Sequence, residues 1–223
     1  MSLHIAVVIG GGPITPGTAI TPGTASFDLV VAADSGYDAA VDAGLTPTHL
    51  VGDLDSISAA GLASARAVGI PIEPYDPDKD HTDTTLALRR AVALGATDVT
   101  LLGPATSDRL DHLLGALTAL GDPVLAGCEV SGELGGSSVR VLHPGHTTVL
   151  HLAATGVFSL LALHGPCDGV TVSGARWPLN DARLVPGSTL GVSNESLGDS
   201  VSIGVREGVL TVIVPHHESP EAS

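Results

Sequence analysis

Four groups of acidic side chains stand where a chain could grip a cation. Asp34 follows the apolar run Leu29–Ala33, and Asp53 and Asp55 lie in Gly52-Asp53-Leu54-Asp55-Ser56 after Leu50-Val51. Asp80 and Asp83 lie in Lys79-Asp80-His81-Thr82-Asp83, and the fourth group, Ser107-Asp108-Arg109-Leu110-Asp111-His112, mixes acid with arginine and histidine. Donor sets made only of oxygen suit Mg²⁺, which keeps several waters and is completed by substrate phosphates. In an extended segment, residues i and i+2 project to one side, so the spacing predicts that Asp53 and Asp55 grip one cation together. Ser107 is expected to cap a helix whose first turns carry Arg109, Asp111 and His112. Such an N-terminus offers free N–H groups, and Arg109 a planar charged fork, for phosphate oxygens.

Each group also admits a plain structural role. Thr82, Asp80 or Asp83 could cap a helix and complement its dipole. Asp34 could be a turn residue, Arg109 and Asp111 could decorate a solvated helix face, and His112 could be structural. The chemical reading gains weight because three acidic groups follow strand-like runs of one domain. In an open α/β sheet, ligands bind outside the carboxyl ends of the strands.

The elements that must position these groups divide the chain. Over residues 1–122, short β-branched runs alternate with helical periodicity. His4–Ile9, Leu29–Ala33 and Val99–Leu102 read as strands; Tyr37–Ala43 and Thr84–Leu94 read as helices. Leu110, Leu113, Leu114, Leu117 and Leu120 form an i, i+3, i+4, i+7 stripe. Strands alternating with helices imply an α/β domain with a mainly parallel sheet flanked by helices. From about residue 123, where a connecting strand region over 123–142 begins, the helical period disappears. Val139–Leu142, Thr148–Leu152, Val157–Leu163, Val170–Ser173, Thr189–Val192, Val201–Val205 and Val209–Val214 recur between turn signals, the cadence of an all-β sandwich over 143–223. Ile14–Ala19 and Ile20–Ala25 repeat the same six residues, and Pro and Gly in each copy point to a loop. The tail from His216 is expected to fray.

Composition narrows the partners. Nine Lys plus Arg face 24 Asp plus Glu, for a net charge of −15, and Lys79 is the one lysine. Such a surface repels nucleic acid and anionic membranes, so neither is expected as a partner. A phosphate-bearing ligand then needs metal ions and a few arginines for positive charge. No apolar run reaches the roughly 18 residues of a membrane span, and no secretory leader is visible, so a cytoplasmic protein is expected. Cys128 and Cys167 fit no zinc spacing or disulfide framework and read as small buried residues. There is no G-x-S-x-G elbow, H-E-x-x-H, C-x-x-C or Walker-type phosphate loop, and Gly10-Gly11-Gly12-Pro13 lacks dinucleotide spacing.

Taken in order, the four groups resemble the motifs of the thiamine pyrophosphokinase family: Ala33-Asp34-Ser35-Gly36, Gly52-Asp53-Leu54-Asp55-Ser56, Lys79-Asp80-His81-Thr82-Asp83 and Arg109-Leu110-Asp111-His112. Gly174-Ala175-Arg176-Trp177-Pro178-Leu179, Gly187-Ser188-Thr189-Leu190 and Val192-Ser193-Asn194-Glu195 resemble its second-half segments, so the likeness runs from about residue 5 to 214. The resemblance implies an α/β catalytic domain plus a β-sandwich, a homodimer with sites at the subunit interface, and the Mg²⁺-dependent reaction of thiamine with ATP to give thiamine diphosphate and AMP. By matching position it implies Asp53, Asp55 and Asp83 as metal ligands and, with Arg109, as the catalytic set. Asp34, Asp80, Thr82 and Arg109 would face ATP, and Asp111, Trp177, Ser193 and Asn194 thiamine. Trp177 would stack on the cationic aromatic substrate, for which indole is the best surface; its plain alternative is a buried sandwich anchor. Three features depart from the family pattern: Ser107-Asp108 where many relatives carry Gly-Gly, the Ile14–Ala25 duplication, and Lys79 where some carry glutamine. Two rival readings are a diphosphokinase for another hydroxymethyl substrate such as a pterin, and a silent thiamine- or nucleotide-binding module. Trp177 and the Ser193-Asn194-Glu195 segment favour thiamine over the first. Asp108 keeps the second open, and the joint presence of Asp53, Asp55, Asp83 and Arg109 argues against it.

Overall fold

The computed structural model of the chain describes residues 2–14 and 27–216, which cluster as two units divided between Gly135 and Gly136. The Ile14–Ala25 duplication, Ile14 apart, and the tail beyond His216 lie outside the described residues.

The first unit runs β1 (His4–Ile9), β2 (Leu29–Ala33), α1 (Gly36–Asp42), β3 (His49–Gly52), α2 (Ala59–Val68), β4 (Ile72–Pro74), α3 (Asp83–Ala93), β5 (Asp98–Leu102), α4 (Leu110–Ala119) and β6 (Glu129–Leu134). Its strands lie in the order β6-β5-β1-β2-β3-β4 and every pairing among them is parallel. Runs such as Ile5-Ala6-Val7-Val8 are wholly buried because helices cover both faces of such a sheet. Ala6 and Val8 pack with Val30 and Ala40 of α1. On α3, Ala87, Leu88 and Ala91 are buried, and that helix lies against β1, β2 and β3. The sequence order reverses between β1 and β5, the switch point of a doubly wound sheet. There the loops after the two strands pair: Ile14 bridges Pro104, and Ala105 N donates to Pro13 O at 3.1 Å.

Two expectations for this unit need correction. The leucine stripe of α4 is not one buried seam. Leu110 and Leu114 are 65% and 51% exposed, and the buried residues are Ala116, Ala119 and the following Leu120. Nor does Ser107 cap that helix: Arg109 takes the cap position with no side-chain cap bond, while Ser107 Oγ accepts from Arg109 N in a tight local turn. Periodicity reading missed α2, which is rich in alanine, glycine and serine, and β4, which has only three residues; β6 falls in the connecting strand region expected over 123–142.

The second unit is all antiparallel. It comprises β7 (Ser137–Leu142), β8 (Thr147–Leu150), β9 (Val157–Leu161), β10 (Cys167–Ser173), β11 (Leu179–Leu184), β12 (Asn194–Glu195), β13 (Val201–Gly204) and β14 (Leu210–Pro215). One layer has the order β12-β9-β14-β7 and the other β11-β10-β13-β8. Leu142, Phe158, Leu160, Leu210 and Val212 from the first layer and Leu150, Val170, Val172, Leu184, Val201 and Ile203 from the second share one core. Two sheets closing on a common apolar layer make a sandwich. Thr189–Val192, expected as a strand, is a turn in which Gly191 takes a φ of 99°. Leu179–Leu184 is a strand instead, and Asp181 at φ 50° lies in a stretch of irregular register.

Gly36 shows how tightly α1 seats on β1, since a Cβ there would lie 2.0 Å from Val8 O. Gly36→Ala is expected to cost about 3 kcal/mol, read as a lower urea midpoint by circular dichroism. Gly115→Ala on α4, where a Cβ meets nothing within 4 Å, should instead gain about 0.5–1 kcal/mol. Equal midpoints for the two variants would refute this account.

Candidate active site

The acidic groups meet at the carboxyl ends of β2 and β3, to one side of the switch point. Asp34 follows β2 with a φ of 47°, a conformation that non-glycine residues rarely hold without compensation. Its carboxylate supplies that compensation. Oδ1 accepts from Ile57 N at 2.9 Å, and Oδ2 accepts from Ser56 N at 3.1 Å and from the Ser56 hydroxyl. Asp34 is buried, and these bonds pin the loop that carries Asp53 and Asp55. Gly52 lets the strands come this close: at φ 144°, a Cβ would stand 3.1 Å from Asp34 Cβ and from Asp83 Oδ1.

Asp53 and Asp55 do not share the extended geometry that their spacing suggested. Leu54 between them takes a left-handed φ of 65°, and Asp55 N donates back to Asp53 Oδ1 at 3.3 Å. The turn splits the pair. Asp53 is partly buried and faces inward, whereas Asp55 is exposed. The carboxylates that offer ligand atoms within 4.8 Å of one another are Asp34, Asp53 and Asp83. Asp83 arrives on the first turn of α3, where Thr82 is the cap and accepts from Thr85 N at 3.3 Å. The structural role weighed for Thr82 is thus realised, and Asp80 lies exposed on the bend before it.

Carboxylates 4 Å apart repel by about 4 kcal/mol at an effective dielectric near 20, so this grouping needs a counter-charge. Lys79 supplies one, with Nζ 2.6 Å from Asp53 Oδ2 and 3.1 Å from Asp83 Oδ1. The Lys79 hydrogen bond holds Asp53 below the usual carboxylate range. Burial pushes Asp83 up, against the pull of Lys79. The charge of Asp53, followed by burial and the charge of Asp34, pushes Asp55 up. Asp83 Oδ1 is buried and makes no hydrogen bond of good geometry. A buried oxygen held only by the Lys79 ion pair and grouped with two further carboxylates fits a hard divalent cation such as Mg²⁺, which coordinates oxygens at about 2.1 Å.

Arg109 is not drawn into this cluster. Its Nε and Nη2 donate to Asp111 Oδ1 and Oδ2 at 3.0 and 2.7 Å, a two-pronged pair with both side chains exposed. The pair holds Asp111 well below the usual range. Among the described residues Asp111 is the one acidic partner of Arg109.

In the all-β unit, Trp177 is 50% exposed, so it is not a sandwich anchor. Its backbone is held by Asn194, which is 2% exposed: Oδ1 accepts from Trp177 N at 3.2 Å and Nδ2 donates to Trp177 O at 2.8 Å. Arg176 lies over the indole, 4.7 Å from its centroid, and pairs with Glu195 at 2.9 Å. Ser193, at φ 57°, is exposed and donates its N–H to Ser159 Oγ. Sequence reading placed Asn194 among thiamine contacts; the structure shows it buried beneath Trp177, orienting that side chain's backbone. Cys128 and Cys167 are buried and unpaired, and burial pushes both thiols up.

A doubly wound sheet with carboxylates gathered at its strand ends, joined in one chain to a sandwich presenting a tryptophan, describes a two-unit α/β and all-β protein. The comparisons give it a family. The catalytic-domain model of thiamin pyrophosphokinase matches residues 24–130, and the model of that enzyme's vitamin B1 binding domain matches residues 147–210. Over 206 residues the chain is 26% identical to the thiamine pyrophosphokinase of Bacillus subtilis, covering 92% of this chain and 96% of the relative. The crystal structure of the Geobacillus thermodenitrificans thiamin pyrophosphokinase superposes with a TM-score of 0.74 at 27% identity, covering 99% of this chain and 100% of the other. That of a family protein from Enterococcus faecalis gives 0.77 at 25% identity, covering 97% and 100%. The chain belongs to the thiamine pyrophosphokinase family.

Since Asp53 is the chief cause of the raised Asp55 pKa, Asp53→Asn is expected to bring Asp55 back toward the ordinary carboxylate value. Folding raises Asp55, so the stability it contributes is present below its unfolded pKa and lost as pH rises through its folded pKa. Carboxyl ¹³C shifts followed against pH in the two proteins read this directly. An unchanged Asp55 midpoint in the variant would show that Asp53 does not act on it.

Proposed function

We propose that this chain transfers the diphosphoryl group of ATP to the primary hydroxyl of thiamine, giving thiamine diphosphate and AMP. The observation that carries the reading is the meeting of Asp53 and Asp83 beside Asp34 at one strand edge, with Asp83 Oδ1 buried and without a hydrogen bond, in a chain of this family. Asp53 and Asp83 would hold Mg²⁺, with Asp55 completing the set and Asp34 fixing their loop. When bound, Mg²⁺ neutralises phosphate charge and orients the phosphates for in-line displacement.

The protein's own work is positioning and charge. The thiamine hydroxyl oxygen bonds to the β-phosphorus, the bond from that phosphorus to the α–β bridging oxygen breaks, and AMP leaves with the electron pair. The hydroxyl proton passes to a carboxylate. Asp55 suits that task, being exposed and pushed up by its neighbours. Arg109 would leave Asp111 to meet the phosphates, where a planar cation stabilises developing charge. Asp111, so released, would accept hydrogen bonds from thiamine. Asp80 and Thr82 would border the ATP phosphates at the start of α3. Trp177 offers its open indole face to a cationic ring, and Ser193 lies exposed in the same Asn194-held segment.

We further infer a homodimer with sites at the subunit interface. Leu190, Val192 and Leu197 are exposed in the unit that presents Trp177, and burying them against a second copy would remove apolar surface from water. A cytoplasmic location is proposed as well; among the described residues no helix is long and apolar enough to cross a membrane.

The test is a product assay with purified protein, thiamine, ATP and Mg²⁺ that resolves AMP from ADP. Thiamine-dependent AMP with matching thiamine diphosphate is expected, falling on the order of 10²-fold or more in Asp53→Asn and Asp83→Asn. ADP as the nucleotide product, or no thiamine-dependent AMP, would overturn the assignment. Trp177→Ala should raise KM for thiamine by roughly 3- to 30-fold while moving kcat less, in line with the loss of about 0.5–2 kcal/mol of cation–π contact. An unchanged KM would remove Trp177 from the site.

A further inference from the structure

Lys79 is the single lysine of a chain with 24 acidic residues, and it stands in the acidic crevice. Its side chain is 13% exposed and that of Asp53 11%, so the 2.6 Å contact between them is largely withdrawn from solvent. Its second contact, with Asp83 Oδ1 at 3.1 Å, lacks hydrogen-bond geometry. Lys79 therefore grips one carboxylate firmly and leans electrostatically on the other. Both belong to the three carboxylates whose oxygens approach within 4.8 Å of one another. A divalent ion bound by them would need those oxygens at about 2.1 Å. It would also stand beside an ammonium that already pairs with two of the same carboxylates. Two cations cannot both be well satisfied there, and the lysine, on a flexible four-carbon stem, is the one free to move.

We propose that Lys79 is a tethered counter-ion that holds Asp53 and Asp83 together in the metal-free crevice and competes with a divalent cation for their oxygens. This rests on the reading of Asp53 and Asp83 as metal-holding residues. It adds that free metal binds weakly by design of the chain, and that a polyphosphate arriving with the metal relieves the competition by giving the displaced ammonium an anion to meet. Lys79 is then a positioning residue that couples metal entry to phosphate entry. It also accounts for how four neighbouring carboxylates, Asp34, Asp53, Asp55 and Asp83, remain folded together in a protein of net charge −15.

The experiment measures Mn²⁺ binding by electron paramagnetic resonance on the full chain, without nucleotide or thiamine, in wild type, Lys79→Gln, Lys79→Met and Lys79→Arg. Circular dichroism melts are recorded with and without Mn²⁺. Lys79→Gln and Lys79→Met are expected to bind Mn²⁺ at least tenfold tighter than wild type, to melt lower without metal, and to gain more from it. Lys79→Arg, which keeps the charge, should stay near wild type. With inorganic tripolyphosphate present, the advantage of the neutral variants should shrink. Folded neutral variants that bind Mn²⁺ no tighter than wild type would overturn this inference and leave the metal-site reading standing. Mn²⁺ binding by none of the four proteins, or binding undiminished in Asp53→Asn and Asp83→Asn, would overturn both.

Discussion

Gathering negative charge against its own repulsion is the constraint on which the first unit is arranged. Asp34, Asp53, Asp55 and Asp83 come from three separate stretches of chain, and no one of them would choose the others' company. Two interactions enforce it. The Asp34 carboxylate, saturated by Ser56 and Ile57, ties the end of β2 to the loop after β3. The Lys79 ammonium ties that loop to the start of α3. Both work on a gap that only glycine permits at position 52. The carboxylates are thus positioned by one acid spent as a scaffold and one base spent as a counter-charge.

The same logic of a sacrificed polar group recurs in the sandwich. Asn194 is buried and directs its side-chain oxygen and nitrogen to the backbone of Trp177, so the indole is held by its main chain and stays half-open to solvent. A buried amide must find partners for its donors and acceptor, which makes Asn194 a strong anchor for an exposed aromatic. Arg176, stacked on the indole and paired with Glu195, limits the ring's freedom further. An exposed tryptophan so restrained loses little entropy when a ligand stacks on it.

Much of this was legible before any coordinates. The β-branched runs that end in Asp34, Gly52 and Gly103 announce buried parallel strands, and acids after such runs announce a strand-end site. The rest depends on information that local pattern does not carry. Leu54 has nothing in its side chain to advertise a left-handed backbone, yet that one φ splits Asp53 from Asp55 and leaves Asp34, Asp53 and Asp83 as the carboxylates within 4.8 Å of one another. Lys79 carries no local sign of its partner, since the folded chain sets it against Asp53, 26 positions earlier in the sequence. The Leu110 and Leu114 positions of α4 fit a helical period but are left exposed by the elements around them. Amphipathic spacing says which residues can share a face, and the neighbouring elements decide which of them are covered.

The two kinds of pairing in the site differ in what they ask of an incoming ligand. Asp53 and Lys79 are sheltered, so a new partner must displace a contact that water screens poorly. Arg109 and Asp111 are more than half exposed, and an ion pair of that kind contributes little to stability however good its geometry. Exchanging Asp111 for a phosphate therefore costs Arg109 almost nothing, while exchanging Lys79 for a metal requires a ligand that brings its own negative charge. On the proposed reading, a metal–polyphosphate complex would meet both demands at once, bringing a cation for the carboxylates and anionic oxygens for the displaced cationic side chains. With the site so proposed, the asymmetry between a sheltered and an open pair would favour the complex over either component alone.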